Sequence, residues 1–98
     1  MKYYHAAPAD TMDKISADGV IKKGYDGRVY LCKNPDDAAK FIAIRGCKNI
    51  EVIEVELRES QVKESFDQSE SFFGCKAYYS DQNIELYGGE LIFTYDME

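Results

Sequence analysis

The chain has no tryptophan, one histidine, two prolines and only three arginines, Arg28, Arg45 and Arg58. It also lacks any run of about 18 apolar residues, which excludes a membrane-spanning helix. Cysteine is scarce and poorly spaced: Cys32, Cys47 and Cys75 are odd in number and form no CxxC pair. That pattern disfavours a disulfide framework and a structural zinc site. Reduced thiols and a cytoplasmic setting are expected instead, with Cys32, in an apolar run, as a core residue. Cationic charge is short as well. Twelve Lys and Arg face 18 Asp and Glu, for a net charge of −6, and such a chain repels phosphate backbones, so non-specific nucleic-acid binding is not expected. No Walker motif, GxGxxG, Ser-His-Asp set or cluster of metal ligands is present, so no metal is expected. Repeats and low-complexity linkers are absent too. The opening Met1-Lys2-Tyr3-Tyr4-His5 does not run into an apolar segment, and no secretory signal is expected.

What is present suffices for one domain spanning 1–98. A chain this short buries roughly 60–65% of its unfolded surface, which leaves one core and little stability to spare. Lys2–His5 reads as an edge or leading strand. Asp10–Asp18 reads as a short helix, with Asp10 as its cap, Met12 and Ile15 on the apolar side and Gly19 closing it. Lys22–Gly27 holds two glycines around Asp26 and reads as a turn. Arg28–Cys32 is a buried strand. Asn34-Pro35 then starts a second helix whose apolar face is Ala38, Phe41, Ile42 and Ile44. In Ile50–Arg58, Ile53, Val55 and Leu57 alternate with Glu54, Glu56 and Arg58, a strand with one wet face. Glu54 and Glu56 beside Arg58 belong to that wet face and are no acid–base couple. Ser60–Ser71 is a polar turn or loop. Phe72–Tyr79, Ile84–Leu86 and Leu91–Tyr95 are short strands separated by turns. The order β-α-β-β-α-β, then two or three more strands, is not a regular βαβα alternation. It implies an α+β domain with a split, mostly antiparallel sheet and two short helices.

Three stretches on this framework resemble the catalytic core of the ADP-ribosyltransferase superfamily, whose relatives include the poly-ADP-ribose polymerases and RNA 2′-phosphotransferases. The first is Tyr3-Tyr4-His5-Ala6-Ala7, an aromatic residue, then His, then small residues. The resemblance implies that His5 holds a ribose of NAD, an imidazole being able to donate one hydrogen bond and accept another. It also implies that Ala6 lets the nicotinamide amide approach the backbone. The second stretch is Gly27-Arg28-Val29-Tyr30-Leu31 with Ala38-Ala39-Lys40-Phe41, which makes Tyr30 and Phe41 the rings that flank the nicotinamide. Phe41 stands where the family often has Tyr, so stacking is kept but a hydroxyl contact is not. The third is the family's catalytic Glu at the start of a late strand. Aligned on Tyr78-Tyr79, that position falls on Cys75 or Lys76, neither of which can place negative charge beside an oxocarbenium-like centre. Glu70, just upstream, is the carboxylate assigned to the role, with Asp67 next.

The resemblance implies a transferase that uses NAD as substrate, a mono-ADP-ribosyltransferase acting on an unknown protein or other acceptor. A second reading stays open. With the third motif displaced, the domain is catalytically inactive and binds NAD, ADP-ribose or a partner protein. A third is a coincidental match on an unrelated α+β scaffold. The phosphotransferase branch fits less well, because three arginines and an acidic balance suit an RNA substrate poorly. Lys22, Lys23, Arg28 and Lys33 form a small basic rim or a solvated turn. Exposed strand edges are able to pair into a homodimer.

Overall fold

The computed structural model describes residues 1–24, 26–44, 46–65 and 77–96. Its elements follow the expected order: β1 (Lys2–Pro8), α1 (Ala9–Asp18), β2 (Val20–Ile21), β3 (Val29–Leu31), α2 (Pro35–Ala43) and β4 (Asn49–Glu56). Among the described residues four short strands come next, where two or three are expected: β5 (Lys63–Ser65), β6 (Ala77–Ser80), β7 (Ile84–Glu85) and β8 (Ile92–Asp96). The 3-10 turn Glu59–Gln61 precedes β5. Among the described residues every strand pairing is antiparallel. The strands lie in the orders β1-β4-β8, β3-β6-β5 and β2-β7. The fold is thus α+β, with a split antiparallel sheet and two short helices among the described residues.

Local chemistry accounts for both helices. Met12 and Ile15 are buried on one side of α1, and Gly19 ends it in the left-handed region at φ 71°, its N–H bonded to the Ile15 carbonyl. Asp10 is not the cap. The chain passes straight from β1 into the helix with Pro8 at the N-cap position. Asp10 sits in the first turn, where its carboxylate accepts the Thr11 N–H at 2.9 Å and meets the positive end of the helix. In α2, Asn34 is the N-cap, its side chain accepting the Asp37 N–H at 2.8 Å, and Pro35 follows it. Ala38 and Ala39 are buried against the sheet. Ile44 does not join the apolar face. The helix stops at Ala43, and Ile44, at the C-cap, is 65% exposed.

β1 is the edge strand expected: it ends the β1-β4-β8 sheet, pairs with β4 along its whole length, and on its other side carries the isolated bridge from Tyr4 to Cys32. One sequence expectation for the sheet changes: β4 does not have one wet face. Its odd residues Ile53 and Val55 join a cluster with Tyr3, Met12, Ile15 and Leu31. Its even residues Ile50 and Val52 join a second cluster with Ala6, Cys32, Ala38 and Ala39. Helix α1 covers one face and α2 the other, so the inner part of β4 reads as a nearly continuous apolar run, Ile50 to Val55, broken by Glu51 and Glu54. Both faces of β4 are therefore committed to packing, and the free space lies where the sheet divides.

Candidate functional site

The division falls between β1 and β3. Tyr4 and Cys32 exchange both backbone hydrogen bonds at 2.9 Å, and pairing between the two strands is confined to that bridge. Residues two apart on a strand send their backbone groups to the same side. Tyr4 directs its N–H and C=O away from β4 and towards β3, and so does Ala6. Beyond the bridge the strands part, and the Ala6 backbone faces the gap. The Tyr30 carbonyl is met there by the ring of His5, whose Nδ1 lies 2.9 Å away.

A cavity of about 490 Å³ occupies this gap. His5, Ala6, Tyr30 and Phe41 all line it, so these four sequence candidates come together although β1, β3 and α2 carry them separately. Glu70 lies outside the described residues, as do Asp67, Cys75 and Lys76. Tyr30 lines the cavity and is 42% exposed. Phe41 is half-buried and packs against the cluster around Ile50 and Val52.

His5 has a defined protonation pattern. Burial pushes its imidazole below the ordinary 6.5, and the bond to the Tyr30 carbonyl offsets only part of that. The ring is neutral at pH 7. A carbonyl oxygen can only accept, so Nδ1 carries the proton and Nε2 keeps its lone pair. The ring's donor end is therefore used internally, and a ligand meets an acceptor, not the donor–acceptor pair expected from sequence. The folded value lies below the unfolded one. The unfolded chain thus takes up its proton first as pH falls, and the stability tied to neutral His5 is present above pH 6.5 and lost below it. Because His5 is the sole histidine, its Hε1 proton gives one isolated NMR titration curve. Its midpoint is expected below 6.5, and a midpoint at or above that value would mean the ring is solvated.

The remaining wall includes residues that sequence spacing does not single out. Tyr4 lines the cavity, and its hydroxyl donates to Glu54 at 2.8 Å. Glu54 also pairs with Lys2 at 3.5 Å, so this half-buried carboxylate has a structural task. Ala38 and Ile42 line the cavity beside Phe41, as their shared helix face allows. Asp26 and Arg28 do so as well. The Tyr30 hydroxyl donates to Asp26 at 2.8 Å, and Asp26 also accepts the Arg28 backbone N–H at 3.2 Å. The Tyr30 hydroxyl bond is the main reason the Asp26 carboxyl sits below its usual range. The Arg28 guanidinium lies 4.2 Å over the Tyr79 ring. The signal that marks this group is the four-residue step from Asp26 to Tyr30 across Gly27, a step that ties a loop carboxylate to a strand hydroxyl.

The basic rim divides. Lys22 and Arg28 line the cavity, whereas Lys33 lies over the Tyr78 ring at 4.9 Å. Among the described residues, no group of His, Cys, Asp and Glu is arranged to hold a metal ion, and no helix is long and apolar enough to cross a membrane. Fold and site together define an α+β domain whose sheet splits to form a ligand-sized cleft. Neither a protein-family model, nor a curated protein, nor a solved structure matches the chain.

Proposed function

We propose that the cleft between β1 and β3 binds NAD and that the protein transfers its ADP-ribosyl group to an acceptor. One observation carries this reading. The residues that resemble the ADP-ribosyltransferase core, His5, Ala6, Tyr30 and Phe41, line a single cavity of about 490 Å³, a size typical of sites that enclose small ligands. The nicotinamide ring would lie against Tyr30 and Phe41, with its amide on the outward backbone of Ala6. A ribose hydroxyl would donate to His5 Nε2. Lys22 and Arg28, at the rim, would face the diphosphate and offset its charge. In the reaction the bond from nicotinamide to the ribose breaks, and its electron pair leaves with nicotinamide. An acceptor nucleophile on a protein bonds to the anomeric carbon and loses a proton to solvent. Glu70 stabilises the cationic centre between these events. Reduced cysteines accord with a cytoplasmic setting, and β8, at the end of its sheet, leaves an edge through which a second copy can pair.

A second reading, a binding module without catalysis, is favoured by a specific observation. Among the described residues the carboxylate lining the cavity is Asp26, already held by the Tyr30 hydroxyl and the Arg28 N–H. Isothermal titration with NAD tests both readings. Binding that vanishes in His5→Ala supports the cleft, and nicotinamide release that falls in Glu70→Gln supports the transferase. Binding without release selects the module. No binding at millimolar NAD rejects both and leaves protein–protein interaction as the working idea.

A further inference from the structure

The gap between β1 and β3 has a cause in the structure. Both strands are well anchored elsewhere: β1 is paired over seven residues with β4, and β3 over three with β6. Extended from the Tyr4–Cys32 bridge, antiparallel register sets His5 opposite Leu31 and Ala6 opposite Tyr30. The next bonds of that ladder run from the Tyr30 N–H to the Ala6 carbonyl and from the Ala6 N–H to the Tyr30 carbonyl. Yet pairing stops at the bridge, and the Tyr30 carbonyl takes the His5 ring at 2.9 Å. The backbone is otherwise suited to continue, since no proline interrupts residues 5–7 or 29–31.

We infer that His5 is the wedge that holds the sheet open. Its Nδ1–H occupies the carbonyl that the Ala6 N–H would otherwise reach, and its ring fills the space into which β3 would close. His5 is in this sense a positioning residue for the cavity, whatever ligand the cavity takes. The inference concerns the free protein and is independent of the NAD reading. Without the ring, β1 and β3 extend their ladder by one pair and the cavity narrows.

Amide hydrogen exchange of the full chain, read residue by residue by NMR, tests this. In the wild-type protein the Tyr30 amide is expected to exchange about tenfold or more faster than the Cys32 amide two residues along, because one is bonded to β1 and the other is not. In His5→Ala the Tyr30 amide is expected to slow by about tenfold as it gains the Ala6 carbonyl. In His5→Phe, which keeps a ring, it stays fast. A Tyr30 amide as slow as Cys32 in the wild type overturns the inference. So does a His5→Ala variant in which Cys32 remains protected while Tyr30 does not slow, and so does a His5→Phe variant that closes. Should His5→Ala fail to fold, the wild-type comparison and His5→Phe decide the matter. Loss of NAD binding in His5→Ala with no change at Tyr30 would reject the wedge alone and leave the NAD reading of the cleft standing.

Discussion

Ile50→Ala and Ile53→Ala are each expected to leave a folded protein, and the two together an unfolded one. Ile50 is 0% exposed and Ile53 is 2%. Truncating a buried Ile to Ala costs about 2–5 kcal/mol, through lost transfer energy and a cavity that the surroundings fill only in part. The residues belong to different clusters on opposite faces of β4. Their partners differ, so the costs add. A domain has about 5–15 kcal/mol in all, and a chain of this size belongs in the lower part of that range. Two losses of about 3 kcal/mol then consume it. With no tryptophan in the chain, urea unfolding is followed by far-ultraviolet circular dichroism or by tyrosine fluorescence. A cost below about 1 kcal/mol for Ile50→Ala would mean that α2 does not pack on β4 and that the second layer is absent.

The same strand shows what sequence can and cannot reveal about this fold. Strand and helix type are legible wherever local chemistry decides them. Asn34-Pro35 marks a helix start, Gly19 a helix end, and Met12 with Ile15 a buried stripe. Solvent exposure of a strand is not local. Ile53 and Val55 alternate with Glu54 and Glu56 as they would on a half-wet sheet, yet Ile50 and Val52 share the other face and α2 covers it. Which helix lies on which face depends on the chain crossing the sheet between α1 and α2, a property of topology alone. β1 reads as an edge strand and does end its sheet, but the bridge from Tyr4 to Cys32 on its other side depends on a residue further along and is not legible locally.

The site is legible in part for a chemical reason. His5, Ala6, Tyr30 and Phe41 are residue types whose spacing follows the order of elements, so reading the elements correctly brings them together. What spacing does not carry is the sign and direction of a hydrogen bond. The His5 ring looks like a free donor and acceptor in sequence, whereas the structure uses its donor end on the Tyr30 carbonyl. Asp26 looks like a turn residue between glycines, and only the fold shows it holding the Tyr30 hydroxyl at the cavity wall.

On the proposed reading of the cleft as an NAD site, Tyr30→Ala is expected to weaken NAD binding by about 10- to 100-fold while shifting the urea midpoint little. The two effects separate because of where the ring sits. At 42% exposed it contributes little apolar burial to the folded state, so its removal leaves the core intact. On the cavity wall it offers a broad face to a flat ring, a contact worth about 1–3 kcal/mol when truncated to Ala. The hydroxyl bond to Asp26 at 2.8 Å fixes the ring's attitude before a ligand arrives, which reduces the ordering left for binding. Tyr30→Phe keeps the face and loses that tether. Its affinity should fall only about threefold, the scale of one exposed hydrogen bond. Phe41→Ala should differ from both, since Phe41 packs on the cluster around Ile50 and Val52 and its loss lowers stability and affinity together. Titration calorimetry and urea unfolding on the three variants give the comparison. Equal affinity for Tyr30→Ala and the wild type would place the ligand away from this wall. If Tyr30→Phe fell as far as Tyr30→Ala, the contact would run through the hydroxyl and Asp26, and the stacking geometry of the cleft would be wrong.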